Sequence, residues 1–256
     1  MDPARAQALH TTLALPDPRP VTGDPLPPFW HQIYFWNIEP SENLGRDGHP
    51  KTGDFIPDLG LPRRMWAGGN LQFHAPLHTG TEATKLTTIE SITRKSGRTG
   101  PLAFVTLRHE FHQSGKLRIT EQQDLVYRKD PDLNVPKHTP PMARTDETAV
   151  ETQTFSSTML FRYSALTMNG HRIHYDKPYA RDVEGYTGLV AHGPLLAQFL
   201  MLMAQRYLGP LKTFRFRATS PLMHSETASF CINGNTLWVR TPDGRQCMQA
   251  TATYGH

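Results

Sequence analysis

One segment dictates much of what this chain can become: GLVAHGPLLAQFLMLMAQRYLG, residues 188–209. Leu195, Leu196, Phe199, Leu202, Met203 and Tyr207 recur at steps of three and four, the period of an α-helix, and Gly209-Pro210 stops the pattern. The segment is apolar on most sides. A helix of that kind is stable in water only when other elements cover it nearly all round.

The covering material is readable as strands. After the helix come KTFRFRATSPLM, ETASFCINGNTLWVRTP and GRQCMQATATYG, with Asn233-Gly234 as a hairpin turn. An earlier set runs from Met65 through LQFHAPL, EATKLTTIESITRKSG, PLAFVTLRHEFHQSGKL and RITEQQDLVYRK. Turn signals at Thr79-Gly80, Ser96-Gly97 and Ser114-Gly115 fall at hairpin spacing. Val105, Leu107 and Phe111 share one parity while Thr106, Arg108 and Glu110 share the other, as a half-buried antiparallel strand requires. The expected class is therefore α+β with curved antiparallel sheet.

Between the two sets lies KDPDLNVPKHTPPMARTDE, rich in proline and charge, which marks a boundary near residues 130–147. The expected organisation is an arm over 1–28, a first unit over 29–135, a linker over 136–150 and a second unit over 151–256. The arm is Pro-rich and weakly periodic. FWHQIYFWNI, from Phe29, reads equally as a short buried helix or a strand, and residues 40–64 carry loop chemistry. STMLFRYSALTMNGHRIHYDKPYA reads as a helical stretch running into an irregular loop.

Several classes are excluded or disfavoured. No run of about 18 apolar residues occurs, and the N-terminus carries acids and prolines where a secretory signal has an apolar core. The two cysteines, Cys231 and Cys247, make no disulfide framework, so a reduced, cytoplasmic setting is expected. The net charge of +4 is dispersed along the chain, without the basic stripe or motif of a nucleic-acid binder. It suits a small polyanionic ligand as well as plain solubility.

The chemistry concentrates in Asn169-Gly-His-Arg-Ile-His174-Tyr-Asp176, followed about 18 residues later by His192-Gly193 at the start of the buried helix. A histidine beside a pocket exchanges a proton near neutral pH. A helix N-terminus offers free N–H groups and a positive dipole end, and glycine there lets a ligand oxygen come close. Together they suit a thioester carbonyl that gains negative charge during reaction.

This stretch resembles the hydratase motif of MaoC-like enoyl-CoA hydratases and dehydratases, and more closely the type 2 hydroxyacyl-thioester dehydratase branch. LGRDGHPKTGDF, LPRRMWAGG and VTLRHE resemble the N-terminal repeat of two-domain members, among them itaconyl-CoA and mesaconyl-CoA hydratases of C5 dicarboxylate metabolism. The resemblance implies a double hotdog, with curved antiparallel sheets each wrapping a helix and the N-terminal helix reduced. It implies hydration of an enoyl-CoA, with CoA as substrate carrier and no further cofactor or metal. The catalytic set carried over is His174, Gly193 and Asn169. Asn169 stands where the family has an acid and cannot act as a base, so it would orient water or substrate; Asp176 is a candidate substitute acid.

Arg63, Arg64, His171, Tyr175 and His192 are the expected substrate-binding residues, the arginines because their geometry matches a phosphate or carboxylate. For each a plainer role stands beside this one: solvated charge for the arginines, a loop hydrogen bond for His171, a cap or packing ring for His192. His171 and His174 have no acidic or cysteine partner in a recognisable zinc pattern. A thioesterase or a non-catalytic acyl-CoA-binding module is the alternative activity, though residues 194–209 contain no Asp or Glu to aim a hydrolytic water. A homodimer through strand edges or sheet faces is compatible with the sequence; membrane and nucleic-acid partners are not expected.

Overall fold

The computed structural model describes residues 1–97, 100–131 and 139–255. Helix α1 (Pro3–Thr12) opens the chain, with the Asp2 side chain capping the Ala4 amide at 2.9 Å and proline in the first turn. This corrects the expectation that residues 1–28 form an arm. Ala6, Leu9 and Leu13 are sealed in the core with Phe29, Trp30 and Ile33. The Asp2-Pro3 pair was the available start signal; a helix with so few apolar positions gives little periodicity to read.

A buried 3₁₀ turn (Trp30–Ile33) follows. It leads through loops to β1 (Arg63–Phe73), β2 (Ala83–Gly97), β3 (Gly100–Gln113) and β4 (Lys116–Arg128). The second half runs β5 (Ala149–Gln153), α2 (Ser157–Thr167), a 3₁₀ turn (Arg172–His174) and α3 (Lys177–Asp182). It continues through α4 (Gly193–Leu208), β6 (Leu211–Ala218), β7 (Ala228–Asn233), β8 (Thr236–Arg240) and β9 (Gln246–Tyr254). Residues 132–138, which straddle the expected repeat–linker boundary, lie outside the described residues, and β5 begins inside the stretch read as linker.

All nine strands form one antiparallel sheet in the order β2-β3-β4-β1-β6-β9-β8-β7-β5. The halves join edge to edge, Gly68–Gln72 of β1 pairing with Thr213–Arg217 of β6. The two expected sheets are thus one continuous sheet, because each half presents its first long strand to the other and so hides an otherwise open edge. Only the second half lays a long helix on its strands. Helix α4 packs against β1, β6, β7, β8 and β9, and every residue from Pro194 to Ala204 except Phe199 is buried. In the first half the 3₁₀ turn stands where a helix would be, its cap residue Phe29 reaching Phe216 and its own His31 reaching Phe111. A separate apolar cluster of Leu59, Leu61, Ala103, Val105, Leu107, Leu125 and Tyr127 lies on β3, β4 and the preceding loop, with Trp66 bridging it to the main core.

Candidate active site

His174 ends its 3₁₀ turn with the ring almost fully enclosed, 6% exposed. Its Nδ1 lies 2.7 Å from the Val190 carbonyl, which can only accept, so Nδ1 carries the proton and Nε2 presents a lone pair. Burial pushes its pKa down to about 4, the Val190 bond opposing and His49 adding to the shift. The ring is therefore neutral at pH 7. It stacks on His192 with centroids 3.6 Å apart and planes at 21°.

His192 is the N-cap residue of α4, and its Nε2 is 2.8 Å from Ser164 Oγ on α2. Burial and His174 hold it well below the usual histidine range. The next residue, Gly193, is the only partly exposed position between Gly188 and Gln198. Its N–H is one of the first-turn amides that have no acceptor within the helix. The neutral imidazole of residue 174 and the mouth of the long helix are thus neighbours, one ring apart.

The remaining expected residues divide sharply. The Asn169 side-chain oxygen accepts the His171 amide at 3.1 Å, so it shapes the loop. Tyr175 is half exposed and donates its hydroxyl to the Gly170 carbonyl at 2.7 Å; it braces the same loop. Asp176 is corrected as a substitute acid. It caps α3 through the Tyr179 amide at 3.1 Å and accepts two bonds from the Arg172 guanidinium at 3.0 and 2.7 Å. The Tyr179 amide and Arg172 keep the carboxyl below its ordinary value, so it holds no proton to exchange.

Arg63 is also corrected. It is buried in an ion pair with Glu184 and has no charge to spare for a ligand. Arg64 differs because neighbouring strand residues face opposite ways. It pairs across the ladder with Tyr127, is partly buried, and forms no ion pair among the described residues. Its charge acts on Asp47, His49 and His171.

Asp47 and His49, from the loop of the first half, complete the cluster, and no role was assigned to either from the sequence. Asp47 Oδ2 accepts from His49 Nδ1 at 2.9 Å and Oδ1 from the His49 amide at 3.0 Å. The His49 ring lies 4.3 Å from that of His171, which in turn meets His174 edge-on at 5.4 Å. Burial, then His49, drive His171 far below its ordinary pKa. The two loops interlock. The Arg172 amide donates to the Asp47 carbonyl at 2.9 Å and the Arg172 side chain to the Arg46 carbonyl at 3.0 Å.

Gly48 (φ +87°) and Gly170 touch backbone to backbone: a Cβ on Gly48 would stand 2.0 Å from the Gly170 oxygen. The sequence signal was the DGH triplet in a motif already singled out, but its partner is more than 120 residues away. Asp47, His49 and His171 bring ligand-type atoms within 4.8 Å of one another. Both Asp47 oxygens are engaged by His49 and the Arg64 charge lies beside them, which opposes a cation there, so the cluster reads as a hydrogen-bonded array.

Comparison with known proteins identifies the family and the fold. The profile of hydroxyacyl-thioester dehydratase type 2 matches residues 29–224. A mesaconyl-C(4)-CoA hydratase of Chloroflexus aurantiacus is 44% identical over 98% of this chain and 92% of its own length. The crystal structure of HtdX from Mycobacterium tuberculosis superposes with a TM-score of 0.70 at 17% identity, covering 100% of this chain and 97% of that one. A second protein of that organism, described as a double hotdog, gives 0.59 at 12% identity over 98% and 91% of the two chains. The structures support the fold and the sequence matches the lineage: on a double hotdog scaffold, this chain belongs to the hydroxyacyl-thioester dehydratase type 2 family.

Proposed function

We propose that this protein adds water across the α,β double bond of a C5 dicarboxylic enoyl-CoA, mesaconyl-C4-CoA being the leading substrate, and removes it in reverse. The observation that carries the reading is the stacked pair at the mouth of α4, where a neutral His174 with a free Nε2 sits one ring from the Gly193 amide. In this reading the thioester oxygen accepts from the Gly193 N–H. His174 Nε2 takes a proton as water oxygen bonds to the β-carbon, and the double-bond pair moves into the thioester as an enolate. The protonated ring then delivers its proton to the α-carbon. One water is consumed, no net redox change occurs, and CoA serves only as the carrier of the acyl group.

Arg64 receives the distal carboxylate, since its guanidinium acts on the cluster and forms no ion pair among the described residues. In this reading the first repeat shapes the acyl pocket and the second supplies the chemistry. Asn169, His171, Tyr175 and His192 support the loop and the helix mouth. A homodimer and a cytoplasmic setting belong to the same reading. Among the described residues no helix is long and apolar enough to cross a membrane.

The test is direct. Purified protein is mixed with mesaconyl-C4-CoA or with crotonyl-CoA, which lacks the second carboxylate. Loss of the conjugated thioester absorbance and a product heavier by one water are expected, with the dicarboxylic substrate preferred. Arg64→Ala removes that preference by raising KM about tenfold or more for the dicarboxylic substrate alone, the loss of one charge-assisted bond. Release of free CoA thiol without hydration contradicts the reading.

A further inference from the structure

The catalytic loop lacks an exchangeable carboxylate. Asn169 is an amide with its oxygen on the His171 amide, and Asp176 is consumed by a helix cap and Arg172. Water attacking a β-carbon has two hydrogens, and His174 can take only one. A second acceptor must aim the molecule, and the first half of the chain contributes a group built for that purpose.

We propose that His49 is a second catalytic residue, its Nε2 accepting a hydrogen bond from the attacking water, and that Asp47 is its positioning residue. The proposal rests on the hydratase reading above. It assigns to a residue of the first repeat the role that an acid five positions before the catalytic histidine holds in the wider family.

Four observations support it. His49 and His174 are pinned in the same sense: each engages an acceptor through Nδ1, at 2.9 Å to Asp47 and 2.7 Å to Val190, which fixes the tautomer and frees Nε2. Neither Nε2 makes a hydrogen bond among the described residues, and neither is among the fully sealed, unpartnered polar atoms, unlike His192 Nδ1 and the Tyr127 hydroxyl. The His49 and His174 rings both contact the His171 ring, at 4.3 and 5.4 Å between centroids. The loop carrying it is held against the catalytic loop by the Arg172 bonds and the Gly48–Gly170 approach, so its position is set by the site. No proton leaves for His49: the water O–H that breaks gives its proton to His174, while the other hydrogen stays on the new hydroxyl and points to His49.

His49→Ala is the informative variant because its backbone amide still donates to Asp47 and the Arg172 contacts persist. With mesaconyl-C4-CoA and the full chain, kcat is expected to fall about 10- to 100-fold at nearly unchanged KM, with Asp47→Asn falling less steeply. The decisive arm is Asn169→Asp in the His49→Ala background, which restores an acceptor from the other side and should recover about tenfold in kcat. A purely structural role for His49 has no reason to be rescued there. Wild-type kcat in His49→Ala, or a loss that Asn169→Asp leaves untouched, overturns the proposal. Either result leaves the hydratase reading standing, since that reading is tested separately, by the product formed and by replacing His174.

Discussion

The two halves of the sheet have similar strands and opposite contents. On the second half, a 16-residue helix fills the concave face, and its N-terminus opens at the catalytic loop. On the first, a four-residue 3₁₀ turn occupies that place. Charged and polar groups are buried there, with His31 and Gln32 bonded to Glu121. The half that keeps the helix keeps a helix mouth and its free amides. The half that loses it gains a loop that brings Asp47 and His49 to the His171 ring, with Arg64 beside them at the start of β1. The two units thus differ in content, one carrying the long helix and the His174 loop, the other the polar residues that pack against that loop.

The comparison can be broken at the link between the halves. Arg63 of β1 and Glu184 after α3 form a buried ion pair across them. Arg63→Ala leaves Glu184 uncompensated and should lower unfolding free energy by about 3–5 kcal/mol in urea titration. Because the pair lies outside the chemistry, kcat of the folded fraction stays near wild type. A large kcat loss with intact stability would show that Arg63 serves the ligand after all.

Removing helix packing on the rich side gives the next effect. Leu200 of α4 is fully buried, and Leu200→Ala should cost about 2–5 kcal/mol. Leu86 of β2 is 57% exposed, and Leu86→Ala should change stability by about 0.5 kcal/mol or less. Equal costs would mean that the first half hides an interface at β2.

Acid sharpens the contrast further. His49, His171, His174 and His192 all sit below the ordinary histidine value of 6.5 because they are buried neutral. Between 6.5 and the folded value the unfolded chain binds more protons, so stability falls as pH falls through that window. For His174, from 6.5 to about 4, the loss is of order 3 kcal/mol at the acid end. Denaturation midpoints followed from pH 7 to 4 should drop steeply, and His174→Gln should flatten the slope. A small change is expected of Tyr175→Phe, which removes one exposed loop bond and should cost about 1 kcal/mol with little effect on kcat.

What the sequence made legible follows the same division. Helix α4 was readable because sixteen residues share one period, and the strands because β3 alternates along its whole length. The closeness of His174 to the start of α4 was readable because the two lie about 18 residues apart in the chain. Asp47 and His49 were not, because their partner His171 is far away in sequence and only the sheet seam at β1 and β6 brings the halves together. Arg63 and Arg64 looked equivalent until strand parity separated them, one into an ion pair and one toward the cluster. Helix α1 was missed because its apolar face is three residues wide in a Pro-rich setting.

Everything about the reaction depends on the imidazole that stacks at the opening of α4. Steady-state turnover of mesaconyl-C4-CoA by His174→Ala, with circular dichroism confirming an intact fold, tests it most simply. A fall in kcat of about a hundredfold or more is predicted. Hydration at close to the wild-type rate would contradict the account.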